Sequence, residues 1–64
     1  MDKLKLLKRA SINILQLENI KIGDLIADEF GHSGKVIEIE KISCNKQFHY
    51  YFYLHKQHTI LMIV

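Results

Sequence analysis

Hydrophobic and polar positions alternate most clearly in the second half of the chain. Within residues 47–55, the even-numbered positions hold phenylalanine, tyrosine or leucine, and the odd-numbered positions from 49 onward hold histidine or tyrosine. Successive side chains of a β-strand point to opposite faces, so this pattern predicts a strand over about 47–55 with a core face and an outer face. The predicted core residues are Phe48, Tyr50, Phe52 and Leu54, and the predicted outer residues are His49, Tyr51, Tyr53 and His55.

A second alternating run precedes this aromatic strand. Over residues 35–42, isoleucines alternate with glutamates, which is typical of a half-buried strand. We expect Ile37 and Ile39 to face the core, and Glu38 and Glu40 to face solvent.

Two other extended segments have weaker signals. The stretch 20–30 predicts a long strand that bends at Gly23, because glycine tolerates the sharp bend of a barrel corner. The apolar end of the chain predicts a final strand over 59–64. Within the first segment, one face is predicted to carry Ile20, Ile22, Ile26 and Phe30.

The first 17 residues contain two further elements. Leucines recur at spacings of three and four in residues 2–10, which predicts a short helix with Asp2 as its cap. Residues 11–17 are rich in β-branched side chains, so we interpret them as a strand with a slip in its alternation. The alternative is a continuous helix that ends near Glu18.

The order of these elements predicts one mainly β domain over residues 1–64. Five short strands after a short helix are typical of a small five-stranded barrel. A chain of this size buries only about 60% of its unfolded surface, so a partner subunit is one source of extra stability. Because Cys44 is the only cysteine, no disulfide can form within the chain, and we expect a reducing, cytoplasmic location.

Two features of the sequence resemble known small barrels: one is a short stretch, and the other is an order of elements that spans most of the chain. The Ile22-Gly23-Asp24 start and the glycine turn at 31–34, followed by a hydrophobic strand, resemble the first hairpin of SH3-like barrels, including KOW-type modules. The basic N-terminal segment, the five strands and the element Tyr53-Leu54-His55 before Thr59-Ile60 are similar to Sm-like RNA-binding proteins of the bacterial Hfq type. The second resemblance implies RNA binding near the pore of a ring, and pairing of the last strand with the next subunit.

Charge is distributed unevenly along the chain. All seven acidic residues lie within residues 2–40, so the aromatic strand has no acidic residue near it in sequence. Aromatic rings beside lysines suit stacking on bases and contacts with phosphates. We therefore predict a non-catalytic module that binds single-stranded nucleic acid, most naturally RNA. Its predicted contact residues are His49, Tyr51, Tyr53, His55, Lys46 and Lys56, with Lys41 also flanking this face.

A different class of function is also consistent with the sequence. The protein is alternatively a small regulatory or phage-type module that docks on a larger protein through a sheet edge. The strand over 59–64 is apolar on both faces, so it is either buried within this chain or paired with another copy, with Ile60, Met62 and Val64 at the interface. The outer aromatic face likewise either binds a ligand or packs beneath the N-terminal helix.

Other classes of function have little support in the sequence. The serines lack a nucleophile-elbow context and no phosphate-binding glycine loop opens a helix, so we predict no enzyme activity. The histidines and Cys44 lack the repeated close spacing of a zinc site, so we predict no metal and no cofactor. The longest apolar run, 60–64, is too short to span a membrane, and no secretion signal is apparent.

Overall fold

A computed structural model of the protein describes residues 3–64, so the proposed cap at Asp2 lies outside the described residues. More of the chain forms strands than helices, which confirms the mainly β class. The elements are β1 (Leu4–Leu7), α1 (Ile14–Glu18), β2 (Leu25–Asp28), β3 (Ser33–Cys44), β4 (Gln47–Leu54) and β5 (His58–Ile63).

The five strands form one mixed sheet in the order β1-β2-β3-β4-β5. β1 runs parallel to β2, and the other neighbours are antiparallel. Within residues 3–64, β1 and β5 have one strand neighbour each, so the sheet is not closed into the predicted barrel. Near this gap, the Arg9 side chain reaches the main-chain oxygen of Leu61 in β5, so a side chain and not a backbone ladder links the two ends of the sheet.

The three long strands agree closely with the sequence pattern. β3 and β4 are joined by Asn45 and Lys46, whose φ angles of 48° and 64° belong to a two-residue hairpin turn with the twist that antiparallel strands favour. One prediction in this region is wrong: Ile37 is 52% exposed. The pairing register shifts between Val36 and Glu38, so the intervening residue lies outside the regular alternation.

The core lies on one face of β3, β4 and β5. Phe52, Ile60 and Met62 have no exposed surface, and Tyr50 and Leu54 are almost completely buried. The predicted core phase of β4 is therefore confirmed for these residues, while Phe48 is only partly buried against the core.

The N-terminal segment differs most from the sequence prediction. The predicted helix over 2–10 is wrong for the described residues, because Leu4–Leu7 form β1 and pair with β2. Lysine and leucine alternate at residues 3–6, so the same segment also fits a strand. Of its leucines, only Leu7 is buried in the core.

The predicted strand over 11–17 is also wrong, and only a short part of the alternative helix forms. Asn13 and Gln16 form a capping box: Asn13 Oδ1 accepts from the Gln16 amide, and Gln16 Oε1 accepts from the Asn13 amide. This reciprocal pair satisfies two amides and starts α1 at Ile14. Leu17 anchors the helix in the core.

The long strand predicted over 20–30 is reduced to β2. Gly23 has a φ angle of 100°, which breaks the strand before Leu25. Ile22 and Phe30 consequently lie outside β2 and are 67% and 70% exposed, so the single strand face predicted to carry them with Ile20 and Ile26 does not form. No helix within residues 3–64 is long and apolar enough to cross a membrane.

Candidate binding surfaces

The outer face of β4 carries two tyrosines that no helix within residues 3–64 covers. Tyr51 and Tyr53 are each partly exposed, and their rings are nearly parallel with centroids 6.4 Å apart. The predicted alternation of β4 thus leaves these two rings on the surface. Packing beneath an N-terminal helix is not observed, because that segment forms β1 instead.

Carboxylates nevertheless lie beside this aromatic pair. The antiparallel register places Glu38 opposite Tyr53 and Glu40 opposite Tyr51. The Tyr53 hydroxyl donates a hydrogen bond of 2.8 Å to Glu40 Oε1, and this bond raises the pKa of Tyr53. The expectation of an aromatic surface without competing acids is therefore wrong, since strand pairing joins residues that are distant in sequence.

The predicted basic residues do not gather around the tyrosines. Lys41 lies on the core side, with Nζ 4.7 Å from the ring centroid of Phe48 and 3.1 Å from Glu18 Oε2. Lys46 and Lys56 occupy the turns at the two ends of β4, which are separated by ~26 Å along an eight-residue strand. These lysines therefore cannot hold the same phosphate.

The two predicted histidines differ in their surroundings. His49 is partly buried, and its Nε2 atom has no hydrogen-bond partner among the described residues. His55 is exposed in the turn that follows β4. The six predicted nucleic-acid contacts thus extend along the whole strand and do not form one compact site.

The terminal strand is mostly buried within the chain. Ile60 and Met62 are completely buried, and Val64 packs against the same core. These side chains therefore pack within this chain, which is the first of the two alternatives that the sequence left open for this strand. The backbone of β5 still forms an edge of the sheet.

The opposite edge of the sheet is more accessible. Among residues 3–64, β1 pairs only with β2, and its other edge borders a groove of about 530 Å³. Leu4 and Leu6 are 58% and 53% exposed on the outer face, where their strand neighbours are Leu25 and Ala27. The groove is lined by Lys3, Leu4, Lys5, Leu6, Leu7, Gln16 and Asn19.

Sequence analysis missed this edge because it assigned residues 2–10 to a helix. The signal was present in the alternation of Lys3, Leu4, Lys5 and Leu6, which fits a strand with one apolar face. That pattern is too short to exclude a helix without knowledge of β2.

A charged cluster, which we call the Arg9 cluster, fixes the end of β1 to the rest of the sheet. Arg9 Nη1 lies 3.1 Å from both Asp28 Oδ2 and Glu29 Oε1, and Nη2 donates to the Leu61 carbonyl over 3.0 Å. His32 Nδ1 lies 2.9 Å from Asp28 Oδ2 and completes the cluster.

Asp28 is the buried member of the Arg9 cluster, with no exposed side-chain surface. Burial alone raises the pKa of Asp28, but the hydrogen bonds from His32, Arg9 and the Phe30 amide outweigh burial and lower the pKa to about 2. This carboxylate is therefore ionised at neutral pH and has a structural role within the cluster.

Neither metal coordination nor similarity to another protein points to a function. In the part of the chain that the structure describes, no three histidine, cysteine or acidic side chains converge to hold a metal ion. Comparison of the chain with protein-family models, curated proteins and solved structures finds no match. Only a small, mostly β sheet supports the resemblance to SH3-like, KOW-type and Sm-like proteins.

Proposed function

We propose that this protein is a non-catalytic protein-interaction module that docks an extended segment of its partner on the open edge of β1. The observation that carries the proposal is the outer edge of β1, which pairs with no strand in residues 3–64 and borders a groove, with Leu4 and Leu6 exposed on the adjoining face. The protein thereby belongs to the functional class of sheet-edge binders.

The chemistry of an edge strand explains why β1 is suited to this role. Alternate residues of such a strand direct their amide and carbonyl groups away from the sheet, where another strand can pair with them. Partner side chains opposite Leu4 and Leu6 would pack on these leucines. Across the groove, Gln16 and Asn19 provide a polar wall.

The other edge of the sheet is less suitable. The Leu61 carbonyl in the middle of β5 already accepts a hydrogen bond from Arg9. A strand that paired with β5 at this point would have to displace the guanidinium. Docking at β1 requires no such displacement, so the two edges of the sheet are not equivalent.

The test uses short synthetic peptides with apolar residues at alternate positions. On addition of such a peptide to isotope-labelled protein, we expect the amide resonances of β1 to shift and to become protected from exchange. A peptide of the same sequence with N-methylated alternate amides cannot extend the ladder and should bind at least about tenfold more weakly, because several hydrogen bonds are lost.

Substitutions on the exposed face provide a second test. Leu4→Gln with Leu6→Gln removes apolar contact without disturbing the core, while Ile22→Gln is the matched control at an exposed position outside the groove. We expect weaker binding only for the first variant. Shifts confined to β5 or to Tyr51 and Tyr53 would contradict docking at β1.

Single-stranded nucleic acid remains a second candidate ligand. Its support is the partly exposed, near-parallel pair of Tyr51 and Tyr53, because stacking of such a ring on an unpaired base contributes about 1–3 kcal/mol. The carboxylates of Glu38 and Glu40 lie beside these tyrosines and would repel the phosphates of a bound nucleic acid. We therefore rank this function below protein docking.

Fluorescence anisotropy with a labelled single-stranded RNA at low salt tests the second candidate. If RNA binds here, Tyr51→Ala and Tyr53→Ala each weaken binding, and Glu38→Gln with Glu40→Gln strengthens it. Lys46→Gln or Lys56→Gln should mainly reduce the dependence of affinity on salt. Binding that is absent, or unchanged in both tyrosine variants, would exclude this surface as an RNA site.

A further inference from the structure

The charges beside the β1 edge suggest what kind of segment it accepts, and this inference rests on the proposed docking function. Lys3 and Lys8 stand at the start and just beyond the end of β1, and both are exposed. Within residues 3–64, neither lysine forms an ion pair. The edge thus has a positive charge near each end.

Within residues 3–64, the acidic groups near this edge already have cationic partners. Asp24 Oδ2 lies 2.7 Å from Lys5 Nζ, and this hydrogen bond lowers the pKa of Asp24. Asp28 and Glu29 are held by Arg9. Among the described residues, the lysines at the two ends of β1 are therefore the cations that remain for a ligand along this strand.

From this arrangement we infer that the partner segment is an acidic extended peptide, with apolar residues that face Leu4 and Leu6 and carboxylates near both ends of the paired stretch. Lys8 lies five positions after Lys3, which is ~16 Å in extended chain. A partner strand of similar length can place one carboxylate beside each lysine.

A second copy of the protein fits the same edge less well. Pairing of two β1 edges would bring Lys3 and Lys8 of one copy close to lysines of the other, and like charges across a strand pair are destabilising. The β5 edge of a second copy carries the Arg9 guanidinium on the Leu61 carbonyl, and the carboxylates beside it, Asp28 and Glu29, are already paired with that guanidinium. The charge pattern therefore favours a foreign acidic segment over self-association.

Three peptides with one shared apolar pattern test this inference. They carry glutamate, glutamine or lysine at both ends, and their affinities are measured from the β1 amide shifts at 50 mM and at 500 mM salt. We expect the acidic peptide to bind roughly five- to tenfold more tightly than the neutral one at low salt. This ratio of affinities is what two solvent-exposed ion pairs are expected to contribute. High salt should remove most of this difference.

Charge reversal supplies the control. Lys3→Glu with Lys8→Glu should invert the preference, so that the lysine-ended peptide binds most tightly. Lys46→Glu with Lys56→Glu makes the same change in net charge in turns at the ends of β4, and should preserve the preference for the acidic peptide. Retained dispersion of the β1 and β2 resonances, as well as those of β3–β5, verifies that both variants fold.

The outcomes separate the inference from the docking function itself. If acidic and neutral peptides bind the β1 edge equally well, docking stands and the acidic specificity is overturned. If no peptide shifts the β1 amides, both the docking function and this inference are overturned. Sedimentation that shows self-assembly, with the β1 amides protected in the assembly, would identify a second copy as the occupant and contradict the inference.

Discussion

Residues 33–64 and residues 3–32 are stabilised in different ways. The first region consists of β3, β4 and β5, which are joined by tight turns and continuous antiparallel pairing. The second contains two four-residue strands and a five-residue helix. Side-chain bonds from Lys5 and Arg9 supplement the short backbone ladder there.

This difference indicates which region depends on the other. The strands of a three-stranded antiparallel sheet with one apolar face can pair through the short turns that connect them. A four-residue parallel strand, in contrast, needs a neighbouring strand that has already formed. We therefore infer that residues 33–64 form the frame on which residues 3–32 assemble. The β1 edge belongs to the dependent region.

Loss of the central aromatic side chain should disrupt both regions. Phe52 is completely buried in β4, so Phe52→Ala should lower the free energy of unfolding by about 3–5 kcal/mol. Urea denaturation followed by circular dichroism measures this change. Ile22→Ala, at a 67% exposed position, is the control and should have little effect; similar losses in both variants would contradict the assignment of the core.

A smaller loss should follow from a change to the Arg9 cluster. Asp28→Asn removes the buried charge that Arg9 and His32 contact, so we expect a loss of about 1.5–3 kcal/mol in the free energy of unfolding. Glu29→Gln, at a more exposed carboxylate of the same cluster, should have a much smaller effect, because a solvent-exposed ion pair contributes little to stability. Amide exchange should accelerate mainly in residues 3–32; equal acceleration in β4 would contradict the division of the molecule.

Acid should weaken the Arg9 cluster through the same carboxylate. The pKa of Asp28 falls from 3.8 to about 2 on folding, so its ionised form stabilises the native state fully above pH 3.8. As the pH falls from 3.8 to about 2, Asp28 becomes protonated and roughly 2 kcal/mol of the free energy of unfolding is lost. Urea midpoints between pH 5 and pH 2 should show this loss in the wild type and a smaller one in Asp28→Asn; parallel pH profiles would contradict it.

The smallest effect is expected at the start of α1. Asn13→Ala removes half of the capping box and should cost about 1 kcal/mol, with faster exchange of the Gln16 amide. Ser11→Ala, just before the helix, is a matched control whose side chain forms no hydrogen bond within residues 3–64, so it should leave α1 unchanged. Equal effects of the two substitutions would exclude a specific role for the cap.

The two regions also differ in how well the sequence predicts them. The long strands follow from alternation that spans eight or more residues, and their observed ends lie close to the predicted ones. Long alternation excludes a helix because its period of two continues over several helical turns. The shift at Ile37 was missed because a β-bulge depends on the register of the partner strand.

Residues 3–32 could not be predicted in this way. The leucines at 4, 6 and 7 fit both a helix and a strand, and the choice depends on pairing with β2 about 20 residues later. The spacing of Asn13 and Gln16 fits a capping box and could have indicated the helix, but the β-branched residues nearby favoured a strand. The acids beside Tyr51 and Tyr53 arise from strand register, which composition along the sequence does not contain.

Residue-resolved native-state hydrogen exchange tests most directly the claim that β3–β5 form the frame and that β1 is an open, dependent edge. We predict that β4 amides exchange only through global unfolding, whereas outward-facing β1 amides exchange rapidly and α1 amides exchange through a smaller opening. Protection of every β1 amide at the level of β4 would contradict both the division into two regions and the open edge.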